Sequence, residues 1–174
     1  KITVPGVPDF YQGTESWDFS LVDPDNRQPV DYARRQQLFQ TWPTPQAAST
    51  PAFTAELLRN LADGRIKLFV MSRALDFRRR HQGLFERGQY LSLSSNGLRA
   101  RHVISFARRT PQHTAIVVAT RFFTTLLAAA EFPLGASVWG DTVIQAPAEL
   151  NGCYRDVFTG QRLCLDEAGA GLPL

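Results

Sequence analysis

Two cysteines, Cys153 and Cys164, are all that this chain of 174 residues has. With no C-x-x-C pair and no ligand-rich spacing around them, they argue against a cysteine-built metal centre and against a disulfide-stapled scaffold. On a terminal hairpin the two read as diagonal neighbours, about 7 to 8 Å apart, too far for easy bridging. Reduced thiols in a cytoplasmic protein are therefore expected. Long apolar runs are missing too. None approaches the roughly 20 residues of a membrane span, and the first residues lack the basic, apolar and small-residue succession of a signal peptide. A soluble protein with no membrane partner is expected. A dominant charge is also lacking: 19 Lys and Arg stand against 16 Asp and Glu, a net charge of +3. The bases are scattered instead of drawn into a stripe, which argues against a nucleic-acid partner. The dense cluster Arg78-Arg79-Arg80-His81 falls at the end of a predicted helix, where cations meet the negative end of the dipole. The chain has no internal repeat and no low-complexity tract.

What is present is enough apolar matter, 44% of residues, to bury one good core or one core with a partial domain. The stretch Lys1 to Tyr32 stands apart from the rest. Ile2-Thr3-Val4 reads as a short strand ended by Pro5-Gly6 and Pro8. Because the chain opens straight into a strand, its natural start is expected to lie further upstream. A long loop follows, carrying the carboxylates of Asp9, Glu15, Asp18, Asp23 and Asp25, the cation of Arg27, and the rings of Tyr11, Trp17 and Phe19. Such groups suit a sugar site, where charged pairs bond hydroxyls and flat rings stack on the apolar sugar face. A Gly, Pro and Asp-rich surface connection without a binding role has the same composition.

Asp31 reads as the N-cap of a helix from Tyr32 to about Gln40, with Leu38 and Phe39 inward. Trp42 to Thr50, with Pro43 and Pro45, reads as a surface connection. Thr50-Pro51 then opens a helix through Leu57, Leu58 and Leu61 that stops near Asp63-Gly64. From Gly64 to His81, Ile66, Phe69, Val70, Ala74 and Phe77 follow one helical stripe, and Leu68, Met71 and Leu75 an adjacent one. A helix apolar on two faces is wedged between layers, and Gly83 is its expected C-cap. Past Gln89 the helical period stops. Short strands are predicted at 90–94, 103–107, 115–119, 137–139, 142–146, 154–158 and 161–165, separated by turn signals such as Asn96-Gly97 and Thr159-Gly160. Residues 122–131 are ambiguous, their start suiting a strand and Leu126 to Ala130 a helix. The fold class is α+β, its second half an all-β antiparallel sandwich of Greek-key type.

The run Gly6-Val7-Pro8-Asp9-Phe10-Tyr11-Gln12-Gly13-Thr14-Glu15 resembles the G-x-P-x-[I/F]-Y-x-G-x-E motif that closes the eighth barrel strand in the α-amylase superfamily, glycoside hydrolase family 13. Its continuation, Trp17-Asp18-Phe19-Ser20-Leu21-Val22-Asp23-Pro24-Asp25-Asn26-Arg27 with Pro29-Val30-Asp31-Tyr32, is similar to the malto-oligosyltrehalose synthase family. So are Asp63-Gly64-Arg65-Ile66-Lys67-Leu68, Val138-Trp139-Gly140-Asp141-Thr142 and Arg155-Asp156-Val157-Phe158-Thr159-Gly160. The resemblance spans nearly the whole chain. It implies the C-terminal portion of a longer enzyme: residues 1–88 as the last strand and helices of a (β/α)8 TIM barrel, residues 89–174 as a β-sandwich domain. It also implies an isomerase of trehalose biosynthesis that turns the reducing-end α-1,4 linkage of a malto-oligosaccharide into α,α-1,1, with no cofactor and no metal.

Within that family the catalytic carboxylates belong to earlier barrel strands, so the resemblance implies no catalytic residue in this chain. It places Gly6, Pro8, Tyr11, Gly13 and Glu15 in a loop-shaping motif at the barrel mouth. Asp25, Asn26 and Arg27 fall at the wall of the sugar pocket, and Trp17 or Phe19 is a candidate stacking platform. The malto-oligosaccharide would reach them through the missing barrel, and the surface facing that barrel would be prone to self-association. Two other readings compete with this one. The first is a carbohydrate-binding β-sandwich module that uses exposed aromatics such as Trp139 or Tyr90; the second is a structural or interaction domain without catalysis.

Overall fold

The computed structural model describes residues 1–43, 49–127, 132–165 and 171–173. They divide into two compact units. The first holds residues 1–2, 6–80 and 155–162; the second holds residues 3–5, 81–154 and the chain from 163 onwards.

The first unit is helical. The Asp31 carboxylate caps α1 (Tyr32–Gln40) by accepting the Arg34 amide at 2.9 Å, one of the donors that a helix start leaves without a partner. Helix α2 (Pro51–Arg59) begins the same way, with the Thr50 hydroxyl accepting the Phe53 amide at 3.3 Å and Pro51 in the first turn. A 3-10 turn, Leu61–Asp63, leads to Gly64 and then to α3 (Arg65–Arg80). Leu68 and Phe69, one from each apolar stripe of α3, are both buried, while Val70 is exposed. Leu57 and Phe69 are the centre of the core, with Trp42, Phe53, Ile66 and Phe158 packed round them. The rings of Phe53 and Phe158 lie 5.5 and 6.2 Å from that of Phe69, within the range of favourable aromatic pairs. Arg65 ties α2 to the turn before α3 through Glu56 at 2.5 Å and Asp63 at 2.7 Å.

Two expectations for residues 1–88 need correction. Residues 2–4 form bends and coil, not a strand. A strand pairs only with a neighbour; here the carbonyls of Ile2 and Gly6 accept the guanidinium of Arg78 instead. Phe39 is exposed, its ring resting on Trp42 at 4.7 Å, so Leu38 is the inward residue of that turn. Most of the connection from Trp42 to Thr50 lies outside the described residues.

The second unit opens with α4 (Gln82–Arg87); Gly83, expected to cap the preceding helix, lies inside α4 instead, and Gly88 ends α4, its amide donating to the Leu84 carbonyl at 3.1 Å. Strands β1 (Gln89–Asn96), β2 (Val103–Arg109) and β3 (Thr114–Thr120) form an antiparallel meander. The first part of β1 pairs with β2; its last residues, Ser94 to Asn96, pair with β4 (Val143–Gln145). β4 in turn pairs with β7 (Leu172–Pro173), which gives the sheet order β3-β2-β1-β4-β7. Leu93, Val103, Ala107, Trp139, Ile144 and Leu150 form the core. Residues 137–139, expected as a strand, belong to α6 (Ala136–Trp139), which follows α5 (Phe123–Leu126). Local bonds decide this: the amides of Val138 and Trp139 turn back onto the Gly135 carbonyl, and the indole of Trp139 donates to Pro133 at 2.9 Å. Residues 128–131 of the ambiguous segment lie outside the described residues.

β5 (Gly152–Arg155) and β6 (Arg162–Leu165) make a separate two-stranded sheet. The Asp156 amide donates to the Gln161 carbonyl at 2.8 Å. Counting back along both strands sets Cys153 directly opposite Cys164, with Cα atoms 4.0 Å apart and the two sulfurs bonded. The expectation of two free thiols was therefore wrong. It placed the pair on a diagonal, whereas the register makes them facing neighbours, where side chains come closest. The cysteines accordingly give no ground for a reducing compartment.

Candidate functional site

The candidate site is the loop from Gly6 to Asp31, which belongs to the first unit. It has two parts. Residues 11 to 17 are anchored. The Tyr11 carbonyl accepts the Thr14 amide at 3.2 Å, which makes a turn, and the Tyr11 ring is exposed. Gly13 is buried at φ 90°, a conformation that side chains resist, and a Cβ there would meet Val30 at 3.0 Å. The Glu15 carboxylate accepts the Gly13 amide at 3.3 Å and Arg35 Nε at 3.0 Å.

The next anchor explains the run Asp63-Gly64-Arg65-Ile66-Lys67. Gly64, at φ 80°, passes beneath the loop; a Cβ on it would lie 3.1 Å from both the Ser16 side chain and the Trp17 amide nitrogen. Lys67 Nζ donates to the Ser16 carbonyl at 3.1 Å and lies 5.7 Å from the centre of the Trp17 ring. Trp17 Nε1 donates to the Leu61 carbonyl at 2.6 Å, which leaves the indole partly exposed. The loop is thus seated on the α2–α3 corner.

Residues 18 to 30 form the outer part. Phe19, Leu21 and Val22 are largely exposed. Asp25, Asn26 and Arg27 make a 3-10 turn that follows the cis peptide between Asp23 and Pro24. Arg27 pairs with Asp23, Nη2 donating to Oδ2 at 2.9 Å, and both groups remain open to solvent. Asn26 Oδ1 is buried without a hydrogen-bond partner among the described residues. Trp17 and the 25–27 turn are therefore held separately, one on the α2–α3 corner and the other by its own local bonds.

Two of the loop acids, Glu15 and Asp18, are held toward the ionised form. Burial pushes the Glu15 carboxyl up, but bonds from its own amide, Arg35 and the Gly13 amide together hold it below the usual range. The side chain and amide of Ser20 hold Asp18 below its usual range. A general acid at neutral pH needs the opposite shift. Among the described residues no group of three or more His, Cys, Asp or Glu is placed to hold a metal ion, and no helix is long and apolar enough to cross a membrane. Of the two aromatics named for a carbohydrate-binding sandwich, Trp139 is buried at 3% exposure, whereas Tyr90 is exposed and stacks on Phe106 at 4.9 Å.

Comparison with known proteins decides the family. A protein of Mycobacterium tuberculosis, provisionally named maltooligosyl trehalose synthase, is 35% identical over 159 residues, 91% of this chain. The structure of maltooligosyltrehalose synthase from Arthrobacter ramosus matches 93% of the chain at 38% identity with a TM-score of 0.67. The chain belongs to the maltooligosyl trehalose synthase family. A hypothetical maltooligosyl trehalose synthase from Sulfolobus tokodaii matches 94% of it at 27% identity with a TM-score of 0.57. No family model matches the chain. The chain spans only 16% of the Mycobacterium protein and 18% of the Arthrobacter one.

The residues at this loop that the sequence did not point to are Arg35, Lys67 and the Leu61 carbonyl. They act on the loop from 20 to 51 positions away. Only the Gly64-Arg65-Ile66-Lys67 run left a trace of them in the sequence.

Proposed function

We propose that the chain is the C-terminal part of a maltooligosyl trehalose synthase. Residues 1–88 finish the catalytic (β/α)8 barrel, and residues 89–174 form its β-sandwich domain of Greek-key type. The parent enzyme, an isomerase of cytoplasmic trehalose biosynthesis, cleaves the reducing-end α-1,4 linkage of a malto-oligosaccharide and rejoins the glucose as α,α-1,1. The observation that carries this reading is the 35% identity maintained over 91% of the chain. Retaining chemistry needs a carboxylate nucleophile and a carboxylic acid facing each other across the scissile bond. Glu15 and Asp18, whose carboxyls are held below their usual range, do not suit the second role, and the catalytic pair comes from the remainder of the parent. The segment alone is inactive, and its barrel-facing surface makes it self-associate.

Isomerisation requires the released glucose to stay, turn and attack before water does. In this reading the loop walls the pocket, and Asp25, Asn26, Arg27 and Trp17 face the sugar. The buried acceptor Asn26 Oδ1 supports that role: an unpaired polar atom costs stability until a donor arrives, and a sugar hydroxyl is such a donor. The test is Arg27→Ala in the parent enzyme acting on maltopentaose. Products should move from trehalose-ended chains toward free glucose; an unchanged ratio and rate would remove Arg27 from the site. Trehalose formation by this segment alone would overturn the assignment of the catalytic carboxylates.

A further inference from the structure

The guanidinium of Arg35 joins both feet of the site loop. Nε donates to Glu15 Oε2 at 3.0 Å and Nη2 to the Gly13 carbonyl, which hold the first foot. Nη1 donates to the Asp31 carbonyl at 2.9 Å, which holds the second. Asp31 is itself fixed, since its carboxylate caps α1. The Tyr32 hydroxyl adds a parallel tie to Gln12 at 3.1 Å. The Arg35 side chain is 17% exposed, so these bonds lie mostly out of water.

We infer that Arg35 is a positioning residue that sets the partition between glucosyl transfer and hydrolysis by pinning residues 14–30 at both ends. The inference rests on the proposed function above. Fixing the two ends of a loop removes much of its freedom. The outer turn of Asp25 to Arg27, held mainly by its own local bonds, then takes its place from the feet. Misplacement of a positioned group by about 1 Å can cost on the order of a hundredfold in rate. A water-excluding wall that drifts by this much admits water without abolishing bond cleavage. Three acceptors in three directions match a planar fork and not an ammonium, which is why lysine is a poor substitute.

The test uses the full-length parent enzyme with Arg35→Gln and Arg35→Lys, measuring trehalose-ended product and free glucose from maltopentaose. Arg35→Gln should raise the ratio of glucose to transfer product by about tenfold, with total cleavage changed much less. Arg35→Lys, which keeps the charge, should recover only a minor part of the original ratio. An unchanged ratio, or equal loss of both products, would overturn the inference. If the wild-type parent forms no trehalose-ended product, the proposed function fails instead. Amide exchange across residues 14–30 still decides the staple in that case: clearly faster exchange in Arg35→Gln supports it, and unchanged exchange removes it.

Discussion

Arg108, near the end of β2, donates to the carbonyl of Gly88 at 2.8 Å, and the same nitrogen reaches the Phe85 carbonyl at 2.9 Å. Both acceptors lie at the end of α4, where a helix leaves carbonyls without internal partners. The guanidinium is 1% exposed, so a cation spends its charge on backbone dipoles inside the second unit. Gly88 leaves no room for a side chain, since a Cβ there would lie 2.2 Å from the Leu84 carbonyl oxygen and 3.1 Å from that of Arg109.

Replacing Arg108 by Met keeps most of the apolar stem and removes the donors. Each buried carbonyl left unpaired costs about 1–3 kcal/mol, so losing both should lower unfolding free energy in Arg108→Met by about 2–6 kcal/mol in denaturant titration of the polypeptide carrying this segment. Arg108→Lys should recover part of the loss, because an ammonium satisfies the two carbonyls with poorer geometry. A Met variant within about 0.5 kcal/mol of the parent, the ordinary range for surface changes, would show that these bonds add little.

The bond between Cys153 and Cys164 closes a short hairpin across a sequence separation of 11. Chain-entropy arguments give a closed loop of roughly this size about 2–3 kcal/mol. The double substitution Cys153→Ser with Cys164→Ser should therefore lower stability by about this amount, and dithiothreitol should lower the parent to the same level while leaving the variant unmoved. Thiol titration of the unfolded, unreduced chain should find neither sulfur reactive. Two titratable thiols there would remove the bond.

The features legible in the sequence are those that local chemistry fixes. Asp31 and Thr50-Pro51 were readable as caps because each acts within one turn, and the strands β1, β2 and β3 were readable from short apolar runs between turn residues, though their meander pairing was not. Trp139 was misread as a strand residue because its helical turn depends on bonds to Gly135 and Pro133, which propensity does not reveal. The cysteines were misread because facing and diagonal positions differ by a register that no single strand contains. For the loop, the composition marked residues 6–31 as the place to look, but nothing in the local sequence ties Arg35 or Lys67 to that loop. Their partners, Gly13, Glu15 and Ser16, come together with them only after the loop has folded back onto α1 and α3.

The pairing of Glu15 with Arg35 makes the loop acid-sensitive in a defined direction. The folded carboxyl is held below its ordinary value: burial raises it, but the bonds from its own amide, Arg35 and Gly13 outweigh that effect. A depressed folded value means that the stabilisation is complete above the unfolded value, near pH 4.3, and is lost as pH falls through the folded one. Both partners are partly exposed, at 17% and 33% for Arg35 and Glu15, so screening limits the contribution to about 1 kcal/mol. Glu15→Gln should therefore be less stable than the parent by about that amount at pH 7, and the difference should shrink as pH falls through the depressed folded value. If the difference persisted unchanged at pH 3, the carboxylate charge would not be its source, and shape alone would have to account for the effect of Glu15.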